Sequence, residues 1–133
     1  MKYMLDTDMC IYVIKAHPAN VIRRLRRTSV EDVCISSITL SELEYGVSES
    51  DRPDQNRMAL AQFLAPLQIA PYDDMAAQEY GRLRALLEKQ GMPIGSLDML
   101  IAAHALSLGC TLVTNNEGEF RRVPRLHVQN WAK

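Results

Sequence analysis

The feature that most constrains this chain is a rhythm in which apolar runs of three or four residues alternate with longer segments of helical periodicity. Tyr3-Met4-Leu5, Val33-Cys34-Ile35, Leu67-Gln68-Ile69-Ala70 and Thr111-Leu112-Val113 read as strands, and Leu126-His127-Val128 as a short fifth. Between them, Met9 to Lys15, Pro18 to Arg27, Ile38 to Gly46, Pro53 to about Leu64, Asp73 to Gln90 and a segment opened by Asp98 read as helices. Strands separated by helices are joined by right-handed crossovers, which give a parallel sheet covered on both faces. The expected fold is a three-layer α/β/α sandwich around a mainly parallel sheet of four or five strands.

Local chemistry supports these boundaries. Ser36 and Ser37 are both N-cap residue types, and Leu40, Leu43 and Val47 follow them at helical spacing, with closure expected near Gly46. Met99 to Leu106 is apolar nearly all round, which predicts a buried helix. Gly91 to Ser96 is the clearest loop.

The 133 residues suit a single domain over 1–133, with no repeat, low-complexity tract or linker. Hydrophobic residues at 47% and charged residues at 23% exclude a disordered or collagen-like chain. Cys10, Cys34 and Cys110 lie apart in apolar segments without metal-binding spacing, and read as buried thiols of a cytoplasmic protein. No signal-peptide pattern and no membrane span are expected. A net charge of −1 does not mark a nucleic-acid binder, but Arg23, Arg24, Arg26 and Arg27 form one basic cluster and Arg121, Arg122 and Arg125 another.

In open α/β sheets, ligands bind beyond the carboxyl ends of the strands, where strand order reverses. Asp6 ends the first strand and Thr114 the fourth, so both belong to that rim. Asp98 starts a helix after a Gly-containing loop, where the helix dipole favours an ionised carboxylate. Glu42, about one turn into the helix after the second strand, can reach the same rim. Carboxylates gathered there repel one another unless a cation holds them ionised, and oxygen-only donors favour Mg²⁺ or Mn²⁺ over zinc. Each residue also has a purely structural reading: Asp6 as a turn residue, Asp98 as a helix cap, and Glu42 as the far end of a Thr39-Leu40-Ser41-Glu42 capping box. His104, in the apolar helix, reads as a core histidine.

The stretches Met4-Leu5-Asp6-Thr7, Ser36 to Gly46 with its Ser41-Glu42-Leu43-Glu44-Tyr45-Gly46, Gly95 to Ala105 and Val113-Thr114-Asn115-Asn116-Glu117-Gly118-Glu119-Phe120 resemble, in order, the signature blocks of VapC-type PIN-domain toxins. The closing Val128-Gln129-Asn130-Trp131 is similar to that family's C-terminus. The resemblance spans essentially the whole chain. It implies an Mg²⁺- or Mn²⁺-dependent endoribonuclease that cleaves structured RNA such as tRNA, the initiator tRNA anticodon stem-loop included, by metal-activated water. It also implies a homodimer controlled by a cognate VapB-type antitoxin. On this reading Asp6, Glu42 and Asp98 are the family's first three acidic residues, with Asp6 and Asp98 as metal ligands. Many PIN domains carry Asp two residues after the fourth-strand Thr, where this chain has Asn116, so Asn116 and Glu119 are alternatives for the fourth position. Asp8, where the subgroup usually has Asn, is an additional acid.

Two other functions fit parts of the pattern. Signalling receiver domains are also small α/β folds with Asp at strand ends, although the last strand here offers no Lys. A catalytically weak module that binds RNA or antitoxin is the other alternative, suggested by Asn116 in place of Asp.

Overall fold

The computed structural model describes residues 2–133. Its five strands are β1 (Tyr3–Leu5), β2 (Val33–Ser36), β3 (Gln68–Ala70), β4 (Thr111–Val113) and β5 (Val128–Gln129). They form one parallel sheet in the order β3-β2-β1-β4-β5. The register Tyr3↔Val33 and Tyr3↔Thr111 puts β1 between β2 and β4. Strand order therefore reverses beside β1, above the residues that follow β1 and β4.

The helices are α1 (Thr7–Lys15), α2 (Ala19–Arg26), α3 (Ser37–Glu49), α4 (Pro53–Leu64), α5 (Asp74–Lys89), α6 (Ser96–Leu108) and α7 (Glu117–Phe120). Alternation along each strand divides the core in two. Met4, Cys34 and Leu112 face α5 and α6, among Leu83, Leu87, Ile101 and Ala102. Leu5, Val33, Ile35 and Val113 face the opposite layer, among Met9, Cys10, Val21, Leu43 and Leu60. Because both faces are covered, the strands are continuous apolar runs rather than alternating ones.

Several boundaries move from their expected places for identifiable reasons. Helix α1 begins at Thr7 because Asp6 caps it, accepting from the Met9 N–H at 2.9 Å. Helix α3 passes through Gly46 to Glu49 because Val47 is buried and anchors a further turn. Helix α6 starts at Ser96, so Asp98 lies in its first turn rather than ahead of it. Helix α7 was not expected: four residues are too few to show periodicity, and buried Phe120 holds it.

Cys10, Cys34 and Cys110 are buried thiols. Among the described residues, no helix is long and apolar enough to cross a membrane. His104 is 1% exposed, with Nδ1 2.8 Å from Ser36 Oγ and its ring edge-on to Tyr72. It is the core histidine that its apolar helix implied.

Candidate active site

The rim begins with Asp6, which is 5% exposed although it carries a carboxylate. One oxygen caps α1. The Thr114 hydroxyl, fully buried at the end of β4, bonds the Asp6 carboxylate and accepts the Asn116 N–H at 2.9 Å. Burial pushes the Asp6 carboxyl up to about 6 despite these two donors, with the Asp8 and Glu42 charges adding to the rise.

Glu42 lies in the second turn of α3 and accepts from Thr7 Oγ1 at 2.6 Å. The capping box does not form. Ser36 caps the helix instead, accepting from the Ile38 N–H, while Thr39 is buried within α3 with its hydroxyl unpartnered among the described residues. The Glu42 carboxylate is thereby turned toward α1 and the rim.

On the other side stand Asp98 and Glu119. The Asp98 carboxyl rises to about 7, first through burial, then through its hydrogen bond to Glu119 and the charges of Glu119, Asp6 and Glu42. The first-turn helix dipole, expected to keep Asp98 ionised, is outweighed by these contributions. Burial acts on Glu119 too, but the Gly95 N–H at 2.6 Å, the Asp98 and Asn116 side chains and the Arg122 charge together hold its carboxyl below the usual range. The contact thus raises the Asp98 carboxyl and lowers that of Glu119. Asn116 directs its amide nitrogen to Glu119 Oε2.

The fold thus brings Asp6, Glu42, Asp98, Asn116 and Glu119 to one rim from four separate chain segments. Asp8 is exposed beside them. Arg122 donates to the Pro93 carbonyl at 3.1 Å and braces the loop ahead of Asp98. Arg24 is used structurally, lying 5.4 Å over the Trp131 ring and bonding Gln129. Sequence reasoning missed Thr7 and Gly95. Thr7 could have been found as the hydroxyl beside a rim carboxylate, whereas nothing local marks the Gly95 N–H as a partner of Glu119.

A divalent cation suits this donor set. The rim is built from carboxylate and amide oxygens, and two carboxyls sit well above their usual range, first through burial and then through neighbouring carboxylate charge, which a cation would offset. Among the described residues, no group of three or more Asp, Glu, His or Cys side chains is placed to hold a metal ion. Mg²⁺ needs only one or two carboxylates and otherwise keeps its waters.

The PIN domain family model matches residues 3–126. Ribonuclease VapC2 of Rickettsia felis is 45% identical over 134 residues, covering 100% of both chains. The tRNA(fMet)-specific endonuclease VapC of Shigella flexneri is 42% identical over 132 residues, covering 99% of each. The solved VapBC2 of Rickettsia felis, bound to a promoter DNA fragment, gives a TM-score of 0.92 at 44% identity, covering 98% of this chain and 99% of that one. VapBC-1 of nontypeable Haemophilus influenzae gives 0.90 at 35% identity, covering 100% of each. These matches replace the receiver-domain alternative. The chain belongs to the PIN-domain family, in its branch of VapC-type ribonuclease toxins.

Proposed function

We propose that this protein is a divalent-metal-dependent endoribonuclease that hydrolyses structured RNA, tRNA first among it, until a VapB-type antitoxin occupies it. The carrying observation is that Asp98 feels the charges of Glu119, Asp6 and Glu42 at once, from four separate elements. Asp6 and Asp98 would hold Mg²⁺ or Mn²⁺, with Glu42, Glu119 and Asn116 completing the oxygen-rich wall. When bound, such an ion supplies Lewis acidity to the scissile phosphate and lowers the pKa of water.

The protein's own groups position the rest. Thr7 fixes Glu42, the Gly95 N–H fixes Glu119, and Thr114 fixes Asp6. Water attacks phosphorus and the P–O3′ bond breaks, leaving 5′-phosphate and 3′-hydroxyl ends without use of the 2′-hydroxyl. The Shigella flexneri relative is named for tRNA(fMet), so the initiator tRNA anticodon stem-loop is the first substrate to test.

A second surface serves regulation. Ile11 and Ile14 of α1, Leu43 and Val47 of α3 and Leu60 of α4 line a mostly apolar cavity of about 280 Å³ that ends at Glu42. Solved relatives are VapBC assemblies, which supports this groove as the seat of an apolar antitoxin segment. Exposed Ile69 on edge strand β3 and Met75 in the first turn of α5 support a homodimer. A single domain over 1–133 and a cytoplasmic location agree with the one sheet, the buried thiols and an RNA substrate.

The test is cleavage of a total tRNA pool by protein freed of antitoxin, with ends mapped by sequencing. New 5′-phosphate ends are expected with Mg²⁺ or Mn²⁺ and not with chelator. Undiminished cutting in chelator, or by Asp98→Asn, overturns the proposal.

A further inference from the structure

Beside the acidic rim lies an open cavity of about 580 Å³, within the range of ligand pockets, that the chemistry described so far does not use. Ile38, Ser41, Glu42 and Tyr45, on one face of α3, line it together with Thr7 and Leu97. Tyr45 is 67% exposed and Leu97 46%, and both line this one cavity. The Tyr45 hydroxyl donates to Glu49 Oε2 at 2.6 Å, one turn along α3, so the ring is tethered at its polar end and its body stays with the cavity.

We infer that Tyr45 and Leu97 form a stacking shelf for an unpaired nucleobase next to the scissile phosphate, making Tyr45 a substrate-positioning residue. This rests on the nuclease reading above. The cavity shares Thr7 and Glu42 with the acidic rim, so whatever fills it during turnover stands against a carboxylate of the site. During turnover, with the antitoxin absent, the molecule that has to reach that carboxylate is the substrate. A phosphate placed at the rim brings its own flanking base within reach of Tyr45 and Leu97. Unstacked RNA bases gain most from aromatic faces, and because every base has such a face the shelf favours single-stranded loops over a particular sequence. Glu42 divides this shelf from the groove assigned to the antitoxin, which lies on its other side.

The experiment compares wild type, Tyr45→Phe, Tyr45→Ala and Leu97→Ala on the RNA whose cleavage position wild type defines. That RNA is used intact and with an abasic ribose flanking the cut. Tyr45→Ala raises KM for intact RNA roughly 5- to 100-fold, the range of lost base stacking, with a smaller change in kcat. Leu97→Ala does so less, and Tyr45→Phe stays within about 3-fold of wild type because the ring face is kept. The abasic RNA penalises wild type by a similar factor but adds little to Tyr45→Ala, since the partner is already missing. Binding of the same RNAs without added divalent ion follows the same order. Independent, multiplying effects of Tyr45→Ala and the abasic site overturn the shelf. So does Tyr45→Ala with wild-type kinetics and a loss of dimer in sedimentation, which makes the surface an interface between copies. Binding that follows the predicted order without any cleavage overturns the nuclease reading alone, and cleavage indifferent to Tyr45 overturns the shelf alone.

Discussion

The Thr7 hydroxyl donates to Glu42 Oε1 at 2.6 Å, tying the first residue of α1 to the second turn of α3 across 35 positions of sequence. Hydrogen bonds to charged groups contribute about 1.5–3 kcal/mol, and this one also sets the orientation of a rim carboxylate. Thr7→Val, which keeps the shape and removes the donor, is expected to lower kcat/KM for RNA roughly 10-fold, equivalent to about 1.4 kcal/mol. Thr7→Ser should stay within about 3-fold by the same scale. Steady-state kinetics on tRNA check both; equal rates for Thr7→Val and wild type would remove the tether from the site.

Stability in chelator should fall as pH rises. Asp6 and Asp98 have folded-state pKa values of about 6 and about 7, above their ordinary value of 3.8. A carboxyl raised in this way favours the folded state fully below its unfolded pKa, and that stability is lost as pH climbs through the folded pKa. The window is therefore about pH 4 to 7. A bound cation offsets the loss, so Mn²⁺ should raise Tm more at pH 7.5 than at pH 5. Asp98→Asn, lacking one titrating group, should show a shallower slope. A Tm in chelator that rises across this window would contradict the assignment.

Asn116 and Glu119 can now be separated by their partners. Asn116 donates to Glu119, and Glu119 is also held by the Gly95 N–H at 2.6 Å, so the negative charge belongs to Glu119 and Asn116 orients it. Glu119→Gln should weaken Mn²⁺ binding and return the Asp98 carboxyl toward its ordinary value. Asn116→Asp replaces an attractive contact with two facing carboxylates. It should lower Tm in chelator and tighten Mn²⁺, as followed by calorimetric titration. Weaker Mn²⁺ binding in Asn116→Asp would reverse this division of labour.

The groove beside Glu42 predicts a different separation. Ala59 lines it from a half-buried position on α4, an element that carries none of the rim carboxylates. Ala59→Glu should lower affinity for the cognate antitoxin while RNA cleavage by the free protein is unchanged. Parallel antitoxin binding and cleavage assays decide it, and full antitoxin affinity in the variant would argue against this groove.

His104 supports the frame rather than the chemistry. Burial lowers its pKa, so the ring stays neutral, bonded to Ser36 and to the Pro71 backbone. His104→Ala should cost about 2–4 kcal/mol of stability in denaturant unfolding through a cavity and a lost buried bond. Cleavage per folded molecule should persist.

Much of this was legible in the chain, for physical reasons. A three-residue apolar run ending in Asp, as in Tyr3-Met4-Leu5-Asp6, signals both a buried strand and the rim at its end. The apolar helix ahead of Leu108 announced its own burial. Less legible was anything decided by side chains distant in sequence. Thr39 and Glu42 satisfy the spacing of a capping box, and only the choice of Ser36 as the cap releases Glu42 for Thr7. The fourth site position was ambiguous because α7 is too short to reveal which of its residues faces inward.

The cap that Asp6 provides for α1 bears on genetics. Selections for cells that survive a toxin recover any lesion that silences it, and a change of Asp6 to a nonpolar residue has two ways to do so. It removes a rim carboxylate and frees the Met9 N–H at a buried helix start, a loss of about 0.5–2 kcal/mol. Asp98 caps no helix in the structure. Survivors carrying Asp98→Asn therefore report on the reaction, while those altered at Asp6 combine damaged chemistry with reduced abundance, and the two classes can be told apart by immunoblot.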